Sequence, residues 1–586
     1  MVIGVDRVPP TTAINDDFGP GGGNVETAGD FDPVNEGIDF WESLEGMLVR
    51  VNAPTAVSPT IANGTSQEIW VTAAGTPATG TTERGGIGIS AGDFNPERIQ
   101  LDDMINADVM PTVDVGARLS DVTGVINYDF ASYEVLLRTM PVVTAASTLD
   151  REVTTLAPGA DLLRVATFNV ENLHPGSGAD KFTSLAQAIV TNLRTPQIIN
   201  LEEVQDNSGP TNNGVVDADD TLQMLVDAIV AAGGPEYEWR QINPVNNQDG
   251  GQLGGNIRVA FLFDPAQGVG FVDGSLARIT DTTPADGDAF VNSRKPLVGT
   301  FTYNGESITV IGNHFNSKGG DGPLYGTTQP PLLVTEAQRL QQAEVVSDYV
   351  YEMFLDDVAA KVIVLGDLND FEFSKPLEEL KGIGLAALIE TLPGDQRYTY
   401  NFEGNAQALD HILASPAMAK VLQGYDVVHI NSEFSTQVSD HDPVIAQFLI
   451  EAVGATIDGT PGRDALVGTA GADVITGRGG RDTLTGGGSG DRFVYASLLD
   501  ASDVITDFEL GRDRLVIDAL LGSVGYTGST PVADGYLSIT TAGGNTQVLF
   551  DADGSAGGGA ARALVELTGV TAPSAGVLLD PTAFGA

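Results

Sequence analysis

The chain has 586 residues, more than one core accommodates, and roughly 100–200 residues per domain implies about three or four domains. Its 79 Asp and Glu against 29 Lys and Arg leave a net charge of −50, so its overall field does not attract nucleic acid or an anionic membrane. A polyanionic substrate would need a divalent cation and a few placed Arg or Lys; the acid excess also suits a protein that binds many calcium ions or works in high salt. Cysteine is absent, which excludes a disulfide framework, and no run reaches the ~18 apolar residues of a membrane span, so no stable membrane insertion is expected.

Residues 1–38 are rich in Gly, Pro, Asp and Asn and read as a flexible leader without an ordinary secretory signal. Residues 39–155 alternate short strands with turns (GMLVRVNA, EIWVTAA, RIQLDD, GVINYDF, YEVLLRT), the pattern of a small all-β barrel that packs or docks rather than carrying chemistry. Residues 160–450 alternate apolar strands (LLRVATF, IINLEEV, RVAFLF, SITVIGNHF, KVIVLGDL) with helical stretches (SLAQAIVTNL, DTLQMLVDAIVAA, EAQRLQQAEVVSDYVYEMF). That alternation predicts an α/β sandwich of two packed sheets with helices outside. The pattern changes again at about residue 455, and the segment 455–586 opens with a nine-residue period. Asp464, Asp473, Asp482 and Asp491 keep step with Leu466, Ile475, Leu484 and Phe493, and with Gly459, Gly468, Gly477 and Gly486. Each apolar residue would face a narrow core, and each Gly-rich turn would present oxygens to a hard cation, calcium.

Within 160–450, polar side chains stand at the C-terminal ends of apolar runs, where a sheet can aim them into one cleft without disrupting its core. They are Asn169 and Glu171, then Glu203, His314, Asp367 and Asn369, Asp410, and finally Asp440 and His441. Carboxylates, amides and two histidines in one cleft suit metal-assisted attack of water on a phosphate ester. Glu203 ends its strand and would ligate a metal; Glu202, one residue earlier, is the alternative and would face the other side of the strand. Asn169 and Glu171, and Asp367 and Asn369, are two apart and would share strand faces. His441 is the candidate for the general base or for direct contact with the transition state, with Asp410 near enough to fix its tautomer. An oxygen-rich site favours magnesium or manganese over zinc. Arg258, Lys318 and Asn316 are candidates to meet substrate phosphates, whereas Arg339 reads as an exposed surface cation; His174 and His411 read as structural.

These separated motifs, taken in order, resemble the endonuclease/exonuclease/phosphatase superfamily, the fold of pancreatic-type deoxyribonuclease, over about half the chain. The resemblance implies a DNase-I-like four-layer sandwich. It implies Glu203, Glu171 and Asp440 as metal contacts, Asn169 holding the metal ligand or phosphate, and Asp410 orienting His441. It further implies Asp367 acting on the attacking water and Asn369 on the scissile phosphate. The family's partner carboxylate for His314 has no counterpart before Arg258 in GGNIRVAFLF, so phosphate binding is the role expected of His314. The closest likeness is to bacterial extracellular nucleases that join an OB-like barrel to the catalytic domain; FWESLEGMLVRV at 40–51 looks like the start of that barrel. The nine-residue repeat resembles the RTX parallel β-roll, which implies calcium at Asp464, Asp473, Asp482 and Asp491. It also implies folding after export, a C-terminal secretion region and delivery outside the cell by type I machinery. The expected function is a secreted, metal-dependent nuclease acting on DNA and perhaps RNA. The alternatives are a phosphatase or phospholipid phosphodiesterase of the same superfamily, and a calcium-dependent adhesin whose α/β domain is inactive.

Overall fold

A computed structural model describes residues 1–63, 66–106, 108–282, 287–571 and 578–579. The chain forms two compact units: residues 1–158, 163–301 and 307–448 make the first, and residues 159–162, 302–306 and 449–586 the second. No described helix is long and apolar enough to cross a membrane.

The N-terminal part of the first unit is a ten-stranded mixed sheet. Its order runs Val2–Ile3, Leu48–Val51, Val122–Asp129, Ser132–Leu137, Ile99–Asp102, Ser66–Thr72, Thr55–Ala56, Arg118–Leu119, Val143–Ala145, with Ile61–Asn63 beside Ser66–Thr72. Among the described residues this path is open: its first and last strands do not pair with each other. Residues 1–38 are not a loose leader. Val2–Ile3 extends the sheet in parallel to Arg50 and Val51, Gly23–Asn24 pairs with Thr328–Gln329, and Ile3, Ile14 and Ile38 lie in the apolar core with Trp41 and Val51. Glycine and acid content suggested disorder, but these few apolar residues carry enough burial to order the segment.

The rest of the first unit has two sheets. The first runs Glu238–Gln241, Arg258–Phe263, Ile198–Val204, Leu162–Leu173, Val444–Leu449, Leu422–Val427; the second runs Gly270–Phe271, Leu297–Tyr303, Glu306–His314, Val362–Asp367, Asp410–Ala414, Ala386–Ala387. Phe261 and Phe263 of the first sheet meet Phe301 of the second at ring separations of 5.5 Å each, which places these faces against one another. Helices Ala179–Gln187 and Asp219–Ala231 bury Phe182, Leu185, Leu222, Leu225 and Ile229 against the first sheet. Helices Glu336–Asp356 and Lys375–Gly382 bury Val346, Val350, Leu377 and Leu380 against the second. All four had been expected from their 3.6-residue apolar period except Lys375–Gly382, which is short and begins with Pro376 in its first turn.

The second unit winds in alternate strands. Val453–Asp458, Ala472–Thr476, Arg492–Val494 and Arg514–Val516 stack in parallel as one sheet. Ala465–Val467, Thr483–Thr485 and Asp503–Ile505 stack in the other, which continues into Arg562–Leu567, Asn545–Phe550 and Leu537–Ala542. Ile475, Leu484 and Phe493 are fully buried between them, as the repeat period predicts. Residues 572–577 and 580–586 of the expected C-terminal secretion region lie outside the described residues.

Candidate active site and metal centres

Register aligns three of the expected side chains across one sheet. His314 pairs with Asp367 on the parallel neighbour, and Asp367 pairs with Asp410 on the antiparallel one, so all three stand in a row. The facing sheet contributes Asn169, whose Nδ2 lies 3.2 Å from Asp367 Oδ2 and 3.3 Å from Glu203 Oε1. His314 Nε2 is 3.5 Å from Asp367 Oδ2 and 3.9 Å from Glu203 Oε1. His441 Nε2 is 3.9 Å from Asp367 Oδ2, and its Nδ1 is 2.7 Å from Asp410 Oδ2.

Strand periodicity alone does not produce this convergence. The ladders slip between Asn169 and Leu173 and between Leu201 and Val204. Glu171, Asn172, Glu203 and Asn369 all adopt left-handed backbone, with φ of 48°, 53°, 61° and 51°. Each such non-glycine residue costs about 1–3 kcal/mol and persists only where its surroundings hold it. At Glu203 the turn of the backbone lets consecutive glutamates both point inward. Glu202 is fully buried and accepts from Thr167 Oγ1 and Asn200 Nδ2, while Glu203 accepts from the Asn172 N–H at 3.0 Å. Asn369 returns to Asp367 through an Asx turn, its N–H donating to Oδ1 at 2.9 Å and its Nδ2 to Oδ2 at 3.1 Å. Glu171 turns away from Asn169 toward Lys181 Nζ, 3.2 Å distant.

The His441 loop is fixed by its neighbours. Asp442 accepts the backbone N–H groups of Ile430 and Asn431 at 2.8 and 2.7 Å, Asn431 Nδ2 donates to the His441 carbonyl at 2.7 Å, and Ser439 Oγ donates to the Asn169 carbonyl at 2.6 Å. Burial disfavours charge on His441, but Asp410 and Asp367 overcome it and push its pKa well above the ordinary imidazole range. Burial, reinforced by Arg294 and His441, holds His314 well below that range; its Nδ1 is buried without a partner, in keeping with the missing carboxylate. Burial raises Asp367 to about 7, with His441 pulling the other way. Tyr400, whose ring sits 4.7 Å from that of His441, is raised by burial and by Asp440, Asp367 and Glu203.

Among the other expected residues, Asp440 is half-buried, and its charge acts on Glu171 and Tyr400. Asn316 is half-buried and its N–H donates to Gln342 Oε1. Lys318 Nζ is 3.1 Å from Asp370 Oδ1 and 4.2 Å over the Phe371 ring. Arg258 is not brought into the cluster: its guanidinium is buried and bonded to Asn243 Oδ1, Gln241 Oε1 and the Asn256 carbonyl. Arg339, expected on the surface, has no exposure at all. It ties Asp370 (2.8 Å), Asp321 (3.1 Å) and Thr335 (2.6 Å) together beneath the Asp367–Asp370 turn, because its helix face is the buried one. His411 Nε2 meets the Asp370 carbonyl at 2.9 Å, and His174 accepts from the Gly176 N–H. Arg294 was missed: it lies in an unremarkable NSRKP segment, yet it is buried, donates to the Phe315 carbonyl and sets its charge against Asp367 and Glu203. Only a contact across elements reveals it.

Ligand atoms of Asp367, Asp410 and His441 lie within 4.8 Å of one another, but Asp410 Oδ2 already meets His441 Nδ1 and the Thr399 hydroxyl, which marks an imidazole–carboxylate pair rather than a metal cage. Glu203 is one-fifth exposed, and its charge and that of Asp440 both act on Glu171, so these three carboxylates share one electrostatic neighbourhood of the oxygen-rich kind a hard divalent ion prefers. In the repeat unit, the N–H groups of Asp464, Asp473, Asp482 and Asp491 donate to the carboxylates of Asp482, Asp491, Asp503 and Asp513 at 2.7–2.8 Å. The ladder thus continues two rungs past the nine-residue period, across insertions that hid Asp503 and Asp513 from spacing. Asp482 Oδ2 and Asp503 Oδ2 are buried without partners, and a Cβ on Gly477 would lie 2.7 and 3.2 Å from them, so unpaired oxygens converge where a calcium ion fits.

Residues 166–441 match the family model described as Endonuclease/Exonuclease/phosphatase family, and residues 458–493 match four copies of the RTX calcium-binding nonapeptide repeat. The chain therefore carries an endonuclease/exonuclease/phosphatase domain followed by RTX repeats. Residues 2–147 match a model described as a domain of unknown function. No curated protein matches. Among solved structures, truncated Caenorhabditis elegans TDP2 is 17% identical over 49% of this chain and 98% of its own, with a TM-score of 0.34. An endonuclease/exonuclease/phosphatase family protein from Leptotrichia buccalis is 15% identical over 49% and 99%, with a TM-score of 0.36. A mannosyl-6-phosphatase from Bacteroides thetaiotaomicron is 17% identical over 48% and 98%, with a TM-score of 0.33.

Proposed function

We propose that the protein is a secreted nuclease hydrolysing phosphodiester bonds of DNA, with RNA as a second substrate, and that its catalytic region is a DNase-I-like four-layer sandwich behind an OB-like N-terminal domain. The observation that carries this reading is the convergence of Asn169, Glu203, His314, Asp367 and the Asp410–His441 pair about one point. Asp410 fixes the His441 tautomer with Nδ1–H toward the carboxylate, leaving Nε2 to face the phosphate. Asp367, held by the Asn169 and Asn369 amides, orients a water in line with the leaving oxygen and accepts its proton. Asn169, Asn369 and neutral His314 donate hydrogen bonds to the phosphoryl oxygens as negative charge builds. A magnesium or manganese ion held by Glu203, Glu171 and Asp440 would supply Lewis-acid stabilisation of that charge. The repeats would take calcium outside the cell after type I export, folding the second unit there.

The test is nicking of plasmid DNA by the purified protein, with magnesium or manganese and with chelator, repeated on His441→Ala. Metal-dependent cleavage lost in the variant is expected. Release of inorganic phosphate from sugar or inositol phosphates without DNA cleavage would replace the nuclease reading by that of a phosphatase; no hydrolysis of any ester would leave the calcium-dependent adhesin.

A further inference from the structure

The N-terminal region grips one hairpin of the catalytic region, and that hairpin's other side holds the catalytic pair. The hairpin is formed by Tyr400–Phe402 and Asn405–Gln407. On its outer side, fully buried Arg98 donates from Nε to the Glu403 carbonyl at 2.7 Å, with its guanidinium stacked 5.0 Å over Trp70. Asn95 Nδ2 donates to Asn405 Oδ1 at 2.9 Å, and Asn401 Nδ2 donates to the Val57 carbonyl at 2.9 Å. Backbone bonds join Ile87 and Ile89 to Ala406 at 2.8 and 3.0 Å. At the tip, Gly404 has φ +78°, and a Cβ there would lie 2.5 Å from Trp70 Cβ, so the tip is seated with no slack.

On its inner side the same segment reaches the chemistry. Thr399 Oγ1 donates to Asp410 Oδ2 at 2.7 Å, the oxygen that also receives His441, and the Thr399 carbonyl accepts the Asp442 N–H at 2.7 Å. Tyr400 packs its ring on the His441 imidazole. Thr399 is therefore bonded at once to the strand carrying Asp410 and the loop carrying His441. The outer end of the same segment is also fixed: Tyr398 donates its hydroxyl to Glu433 at 2.8 Å, and Arg84 donates to that carboxylate at 2.6 Å.

We propose that the N-terminal region is a clamp that positions the Asp410–His441 pair, acting from Arg98 and Asn95 through the Tyr400–Gln407 hairpin and Thr399. It sets the turnover step rather than capturing nucleic acid. This inference rests on the reading of Asp410 and His441 as the catalytic pair. The physical reason is that a two-stranded hairpin is marginal by itself and takes its position from what it packs against. A misplacement near 1 Å at reacting groups costs up to about a hundredfold in rate.

The test compares full-length wild type with Asn405→Ala, Asn401→Ala and their double variant on plasmid DNA and on a small diester, bis(p-nitrophenyl) phosphate. Arg50→Gln, in an exposed ion pair of the N-terminal sheet, is the control. The hairpin variants should lower kcat on both substrates by about tenfold, within the loss expected for such displacements. KM should change less than about twofold. The low-field imidazole N–H resonance of His441 should shift or broaden in the alanine variants and be unchanged in Arg50→Gln. A raised KM on DNA with an unaltered rate on the small diester would overturn the clamp in favour of substrate capture; unchanged rates and resonance would overturn it outright. If wild type hydrolyses neither substrate, the nuclease reading fails separately, and the His441 resonance alone decides the clamp.

Discussion

Adjacent Glu202 and Glu203 give the sharpest test of the site. Glu202 has no exposed surface, its Oε1 accepts from Thr167 and Asn200, and its Oε2 is buried without a partner. Burial pushes its pKa well above the carboxylate range, which favours the protonated, uncharged side chain. Glu202→Gln keeps the accepting oxygen and the shape. It should change stability at pH 7 by less than about 1 kcal/mol, because both donors stay paired. Glu202→Leu strands the Thr167 hydroxyl proton and one of the two Asn200 amide N–H groups, the other still donating to Thr167 Oγ1, and should cost about 3 kcal/mol, at 1–3 kcal/mol for each unpaired group. The stability of a group with a raised folded pKa is complete below its unfolded pKa and is lost as pH rises through the folded one. Glu202→Gln should therefore gain on wild type with increasing pH. Glu203→Gln instead removes a charge from the cation set. If that contact contributes about 4 kcal/mol to the transition state, kcat/KM falls by about a thousandfold, with little loss of stability. Urea unfolding and plasmid cleavage over a magnesium series measure both. Equal damage to cleavage from Glu202→Gln and Glu203→Gln would refute the division of roles.

His429→Gln should destabilise the first unit by about 1–2 kcal/mol. His429 is a buried partner of Glu152 at 2.8 Å, and the value is discounted because Glu152 is a third exposed. Burial opposes the His429 charge but Glu152 outweighs it, raising its pKa; Glu152 is lowered because its bonds to His429 outweigh burial. The His429 share is complete below about pH 6.5 and lost as pH rises through its raised pKa, and the Glu152 share is lost as pH falls through its lowered one, so unfolding curves should differ most between those limits. Arg339→Met should cost about 3 kcal/mol in urea unfolding by taking the buried guanidinium from Asp321 and Asp370, which keep Thr335 and Lys318 as partners. Calcium at a hundredfold its Kd should stabilise the second unit of the intact protein by about 2.7 kcal/mol per site, and Asp482→Asn with Asp503→Asn should remove that gain at their site in calorimetry.

The sequence determined the elements and the chemical inventory. Apolar period gave the helices Asp219–Ala231 and Glu336–Asp356, and in-phase Ile475, Leu484 and Phe493 gave the winding of the repeats, because both patterns are local and regular. It also named the side chains that meet at Asp367, since polar residues at the ends of apolar strands have few other uses. Tertiary structure decided how they meet. Left-handed backbone at Glu203 and Glu171 broke the two-residue alternation, turning one glutamate inward beside Glu202 and the other toward Lys181. Arg339 reads as a surface cation in its own helix, yet Asp321 and Asp370, brought to it by chain folding, made it the most buried guanidinium of the turn below the site. Arg294, and the hold of Arg98 on Glu403, depend on residues 21 and 305 positions away in the chain. Such contacts leave no periodic trace, because their energy comes from desolvated partners that only the packed sheets bring together.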